Sequence, residues 1–257
     1  DTTLNIPLVA KHTGTGSELG KVYVRFDTDT TTPSNLEVWE CIVAAVQVNQ
    51  SVGYSEGAIW IDTVNGTAGT ENYVNGTADN PVDSLTDAIT ISNSLGIKKF
   101  KIATGSSITL AASSTNYSME GTSWTLAFGG QDISGSYIMG ATLSGTFVGS
   151  TAIVEDCIIN AITGPGITMR RCFFNDVTIT ANAAGSWYLN DCRSRVAGSD
   201  SPNFDFGVGV ANVSVNLRSY SGGIEVENIG DSGTDTMSME GDGALTLNAN
   251  CSGGSIS

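Results

Sequence analysis

A four-residue phrase recurs along the second half of this chain: an apolar residue, two polar residues, then a small or apolar residue that is often cysteine. It reads Val154-Glu155-Asp156-Cys157, Met169-Arg170-Arg171-Cys172 and Leu189-Asn190-Asp191-Cys192. Looser copies stand at Met119-Glu120-Gly121-Thr122, Leu217-Arg218-Ser219-Tyr220 and Met239-Glu240-Gly241-Asp242. The cysteine-bearing copies are 15 and 20 residues apart, the irregular period of a solenoid whose turns vary in length. Self-similarity at that spacing means one short element stacked on itself. Short strands feeding strands in the same direction, without crossover helices, are best satisfied by a parallel β-helix, which we expect to be right-handed. A β-sandwich is the alternative, but it would not preserve residue type at each position of the aligned copies.

Composition agrees with an all-β fold. The 257 residues contain 31 glycines and only 14 % charged residues, which suits short strands and tight turns better than helices. The formal charge is −15. A surface this acidic repels phosphate backbones and anionic lipid, so the expectation is no nucleic acid and no membrane insertion. No apolar run reaches the roughly 18 residues that span a bilayer. Arg170, Arg171, Arg193, Arg195 and Arg218 form the one basic cluster. Five cysteines cannot all pair within the chain. Three of them hold one position of the phrase, which reads as buried thiols stacked coil over coil.

Residues 1–55 lack the repeat. Leu4 to Val9 and Lys21 to Phe26 alternate as strands, the lone His12 falls in a turn, and Ser34-Asn35-Leu36-Glu37 has capping-box spacing before a short helix, with a strand nearly as good a reading. The chain then divides into a small N-terminal attachment region, 1–55, and a β-helix domain, 56–257. Asn80, Pro81 and Gly96 bracket a helix over 81–95 whose face carries Val82, Leu85, Ala88, Ile89, Ser92 and Leu95. That face is expected to cap the open N-terminal end of the stack. Val64-Asn65-Gly66-Thr67-Ala68 returns as Val74-Asn75-Gly76-Thr77-Ala78, two Asn-Gly turns that are also glycosylation sequons. The chain starts at Asp1 without an initiator methionine, and the stretch from Cys251 to Ser257 carries no capping element. Further chain or a partner subunit is therefore expected over the C-terminal end.

Stacking the copies places Val154, Met169 and Leu189 in one apolar column and the cysteines in another. The polar pairs between them read as a corner of the coil. Asp156 and Asp191 would lie two coils apart, roughly 9.6 Å, near the upper limit for an inverting glycosidase pair. Arg171 stands between them, so an alternating Asp–Arg–Asp charge ladder is the favoured reading. Glu225 and Glu227 read as solvated, and Asp205, between Phe204 and Phe206, as an outward strand residue. One histidine supports no triad or metal site, and the cysteines lack zinc spacing, so no catalytic residue, cofactor or metal is assigned. The acidic turns at 27–29 and 231–235 could hold calcium only weakly. Trp124, Trp187 and Tyr220, with Tyr188, could form a glycan-stacking surface, although core packing is the commoner fate of such residues.

The run Gly57-Ala58-Ile59-Trp60-Ile61-Asp62-Thr63-Val64-Asn65-Gly66-Thr67-Ala68-Gly69-Thr70 resembles the opening of a group of virion proteins from tailed bacteriophages. So do Gly76 to Val82 with the helix that follows, Arg195 to Ser199, Arg218 to Glu225, and Met239 to Gly243. A Gly-Thr loop, a capping helix and then coils is also similar to the start of pectate-lyase-like β-helices in phage tailspikes. The resemblance covers 57–257. It implies a protein of the particle surface, a homotrimer, joined to other virion proteins through residues 1–55. It carries over no catalytic residue. The functions it leaves open are a non-enzymatic fibre or spike for host attachment, a capsid decoration protein, and a depolymerase acting on host surface glycan.

Overall fold

The computed structural model describes residues 53–194 and 201–257. The readings that fall on 1–52, including His12, the two early strands, the short helix and the attachment region, lie outside the described residues, as does Arg195.

The described chain is a parallel β-solenoid of about eight turns with a single α-helix. Every pairing between its strands is parallel. The phrase supplies the first sheet. Its apolar residue forms a register-matched column running from Ile59 and Phe100 through Met119, Ile138, Val154, Met169 and Leu189 to Leu217 and Met239. All of these but Met239 are buried. The predicted alignment of Val154, Met169 and Leu189 is thus the observed one, and all three looser copies join it. One copy escapes a search for polar pairs: Ile138-Met139-Gly140-Ala141 occupies the same place with Met139 and Gly140 at the polar positions.

After the phrase the chain turns a corner into a second sheet. Its inward residues are Ile108, Leu126, Leu143, Ile159 and Phe174. Its outward rows are Ser107, Thr125, Thr142, Ile158, Phe173 and Arg193, and, one step along, Thr109, Ala127, Ser144, Asn160 and Asn175. A third sheet carries Ile162, Ile179, Phe204 and Val226 inward and Thr163, Thr180, Asp205 and Glu227 outward. Between the sheets, aromatic rings meet edge to face in the interior: Phe128 on Phe147, Phe147 on Trp187, and Trp187 on Phe204 with centroids 5.3 Å apart. Such pairs add about 0.5–1.5 kcal/mol each beyond area burial.

The helix is shorter than the sequence implies, Leu85–Leu95. Its cap is Ser84, whose hydroxyl accepts from the Asp87 amide at 3.2 Å, rather than Asn80. The reason is Val82: its amide donates to Trp60 O while its carbonyl accepts from the Asp62 amide, so this segment runs beside the first strand, Ile59–Ile61, before any helix begins. Gly96 ends the helix at φ 73°, the left-handed cap the sequence calls for. Ala88, Ile91 and Ser92 are its buried residues, and Ala88 and Ile91 belong to the same core cluster as Ile59 and Ile61, so the helix packs on the first coil.

Candidate functional site

The corner after the phrase is the most specific piece of local structure. The second polar residue adopts the left-handed conformation in coil after coil: Gly140 (φ 72°), Asp156 (52°), Arg171 (51°), Asp191 (55°) and Ser219 (54°). This kink turns the chain without breaking the ladder. The amide of Asp156 donates to Arg170 O, that of Arg171 to Asn190 O, and that of Asp191 to Arg218 O. A non-glycine residue there costs roughly 1–2 kcal/mol, which the surrounding ladder overrides.

The residue after the kink points inward. Register makes Trp124, Ala141, Cys157, Cys172, Cys192 and Tyr220 one column. Each thiol donates to the carbonyl two residues before it: Cys157 to Glu155 O (3.2 Å), Cys172 to Arg170 O and Cys192 to Asn190 O (both 3.4 Å). The thiols are free and buried. The Cys157 thiol is raised by its bond with Cys172 and by burial. Cys172 is lowered by Cys157, but Cys192 and burial push it up to about 12. A thiol that stays protonated in an apolar column is a packing group, not a nucleophile.

This column corrects the glycan-stacking reading. Trp124 and Tyr220 are members of it, 1 % and 0 % exposed, and Trp187 is 0 % exposed in the aromatic stack. Trp124 Nε1 donates to Met139 O and Tyr220 Oη to Gly223 O. No face of these three rings reaches solvent. A signal for Tyr220 was present, since it holds the fourth position of its own copy of the phrase. Tyr188 does point outward, 45 % exposed.

On the outside of the corner, Arg171 clasps the coil before it. Nε and Nη2 donate to Oδ1 and Oδ2 of Asp156, each at 2.9 Å, and Nη2 also meets Glu155 Oε1. Asp156 first, then Glu155, hold the guanidinium in its charged form. The alternating ladder forms on this side alone; among the described residues no ion pair joins Arg171 to Asp191. Beside the corner opens a groove of about 450 Å³, lined by Met139, Ala141, Ile158 and Phe173 together with Ser123 and Asp156. It exists because Gly140 and Ala141 are small where the preceding coil bulges outward through Gly121, Thr122 and Ser123. Asp156 is the one acidic side chain in its lining. A single carboxylate already bonded to an arginine cannot share acid and base roles with a second.

A second groove of about 390 Å³ lies on the outer face of the first sheet, lined by Tyr188, Asn190, Asn216, Arg218, Ser238 and Glu240 among others. Its polar groups bond along the face: Ser238 donates to Asn216 Oδ1 and Asn216 to Ser214 Oγ. At the N-terminal end of the same sheet, Glu120 takes Lys99 and Lys101, each at 3.1 Å, and Lys101 also reaches Glu56 at 2.9 Å. Burial pushes Glu120 up, but the Ser118 hydroxyl and the two lysines outweigh it and leave its carboxyl below the usual range.

The remaining candidates are structural. Asp235 is fully buried and accepts the Val213 and Gly230 amides, both at 2.9 Å, so its oxygens are occupied by backbone in the turn considered for calcium. Among the described residues no cluster of three histidine, cysteine or acidic side chains could hold a metal. Asp205 is outward, as expected, and accepts from Gly207 N and Asn228 Nδ2. Of the two sequons, Asn75 is 7 % exposed and its side chain accepts from the Glu71 amide, whereas Asn65 is exposed. Comparison with known proteins finds no family model, no curated protein and no solved structure that matches this chain.

Proposed function

We propose that the chain is a non-enzymatic structural protein of a tailed-phage virion, forming a trimeric β-helical fibre or spike on the particle surface that serves host attachment, with residues 1–55 joining it to other virion proteins. The observation that carries the reading is the unbroken buried column from Ile59 to Leu217. Each coil contacts only its neighbours, so such a column makes a stiff rod whose outer faces are free to vary. The phage context is carried by the resemblance of 57–257. Asp156, tied to Arg171, supports a scaffold role over catalysis.

The groove beside Asp156 favours one second reading, a depolymerase acting on host surface glycan. Incubating purified protein with host capsule and lipopolysaccharide and measuring reducing ends tests it. The structural reading expects no release. Release that is lost in Asp156→Ala, with the fold intact, would overturn it. Localising the chain on intact particles by antibody-labelled electron microscopy distinguishes tail from capsid decoration.

A further inference from the structure

We propose that Asn65 is a self-modifying site: the Gly66 nitrogen closes on its side chain, the amide is exchanged for an acid, and the turn that ties the first coil together loosens. The five residues Val64-Asn65-Gly66-Thr67-Ala68 recur as Val74-Asn75-Gly76-Thr77-Ala78, but the fold treats the two copies differently. A glycine after asparagine leaves its backbone nitrogen open to the asparagine side chain, because no β-carbon stands beside it. At 66 no other residue fits: a Cβ there would stand 2.4 Å from Asp62 O and 2.6 Å from Val82 O. The turn therefore imposes on Asn65 the one neighbour that exposes it to attack. Both glycine amides are bonded at 2.9 Å, Gly66 to Asp62 O and Gly76 to Asn80 O, so the backbone does not separate the copies. The side chains do. Asn75 is buried, its Oδ1 accepts from the Glu71 amide at 3.0 Å, and a Cβ on Gly69 would stand 2.6 Å from that oxygen. Its Cγ is held away from the Gly76 nitrogen by packing on all sides. Asn65 is exposed, and among the described residues its side chain is held by one long bond, Nδ2 to Asp62 Oδ2 at 3.3 Å.

In the reaction the Gly66 nitrogen bonds to Asn65 Cγ, the Cγ–Nδ2 bond breaks, and Nδ2 leaves as ammonia with the proton from Gly66. Water then opens the cyclic imide at either carbonyl, giving aspartate or its isomer linked through the side chain. No oxidant or cofactor takes part. The product works against the turn that made it. Asp62 Oδ1 accepts the Val64 and Asn65 amides, both at 2.9 Å, and these bonds, that of Asn65 first, hold its carboxyl below the usual range. Its Oδ2 faces Asn65 Nδ2, so replacing that donor by a carboxylate oxygen sets two like charges where a hydrogen bond stood. The isomer also lengthens the backbone inside a closed turn. Other contacts depend on this turn. The Asp62 amide donates to Val82 O, the Thr67 amide to Pro81 O, and Thr63 Oγ1 accepts the Ser107 amide of the next coil at 2.9 Å.

The test incubates the full chain at pH 8.5 and follows the amide-to-acid mass gain at each asparagine by peptide mass spectrometry. In the native protein Asn65 is expected to convert at least about tenfold faster than Asn75. In guanidinium, where only the shared sequence remains, the two rates are expected to converge. Asn65→Ser, which cannot form the imide, is expected to show no mass gain in that peptide. An Asn65 that keeps its amide in the native protein under conditions that convert it in guanidinium would overturn the site, and so would equal native rates at the two copies. Asn65→Asp supplies the product directly and is expected to melt about 2 °C below Asn65→Ser. Equal melting of these two variants would overturn the effect on the turn.

Discussion

Arg171 closes on Asp156 through two parallel hydrogen bonds of 2.9 Å, and both residues sit in the left-handed conformation at the same corner of adjacent coils. Charge and backbone strain are therefore superimposed at Arg171, and they separate by substitution. Both side chains are about half exposed, 52 % and 46 %, so solvent screens the pair. Arg171→Ala removes the pair and keeps the strain; Arg171→Gly removes both. The glycine variant is expected to melt higher than the alanine variant, and Asp156→Ala is expected to lower Tm by no more than about 3 °C. Thermal unfolding of the three variants checks the order.

The same corner predicts opposite outcomes at two other coils. A Cβ on Gly140 would stand 2.1 Å from Gly121 O, against backbone that has nowhere to move. Gly140→Ala is expected to destabilise by more than about 2 kcal/mol. Ser219 has φ 54°. Ser219→Gly is expected to leave stability unchanged or raise it, by up to about 1 kcal/mol, because relief of the left-handed cost competes with glycine's larger unfolded-state entropy. Urea denaturation midpoints at constant m decide both.

Cys157, Cys172 and Cys192 are expected to resist iodoacetamide at pH 8 in the folded protein and to be alkylated fully in guanidinium. All three are buried, which shields them from the reagent, and the thiols of Cys157 and Cys172 are in addition raised above the ordinary thiol range. Mass spectrometry of peptides from the two conditions reads each site. Rapid labelling of Cys172 in the native state would mean that the coil opens locally.

Glu120 gives the fold an acid-sensitive clasp. A carboxylate held below its ordinary 4.5 stabilises the fold at pH values above it, and the contribution drains away as pH falls through the lower folded value. Lys101, raised mainly by its bond to Glu56, keeps its contribution up to 10.5 and loses it only above, so the acid side is the informative one. Glu120→Gln is expected to lower stability at pH 7 and to match wild type more closely below about pH 4. Melting temperatures of the pair across pH 2.5–7 check the convergence.

Much of the solenoid was readable because a coil must repeat what its neighbour does. Val154, Met169 and Leu189 align in sequence for the reason they align in space: strands stacked at roughly 4.8 Å put identical positions in contact. Ile138-Met139-Gly140-Ala141 was missed because its corner uses glycine and an outward methionine, so the polar signal is absent although the backbone geometry is the same. The helix start was misplaced for a different reason. Pro81 and Asn80 satisfy a local rule for a first turn, but Val82 is claimed by the Ile59–Ile61 strand, and that partner lies some twenty residues away.

The aromatic residues mark the boundary between the two kinds of information. The sequence by itself determined a stack of parallel coils, an inner column of thiols and an acid-rich exterior, since periodicity and charge are local properties of the chain. It did not determine which way Trp124, Trp187 and Tyr220 face, because an aromatic ring serves equally as core or as sugar platform. Only closure of three sheets around one interior buried all three and left Tyr188 outside. Those outcomes depend on where each coil turns its corners, and a corner is fixed by the backbone of the neighbouring coil as much as by its own residues.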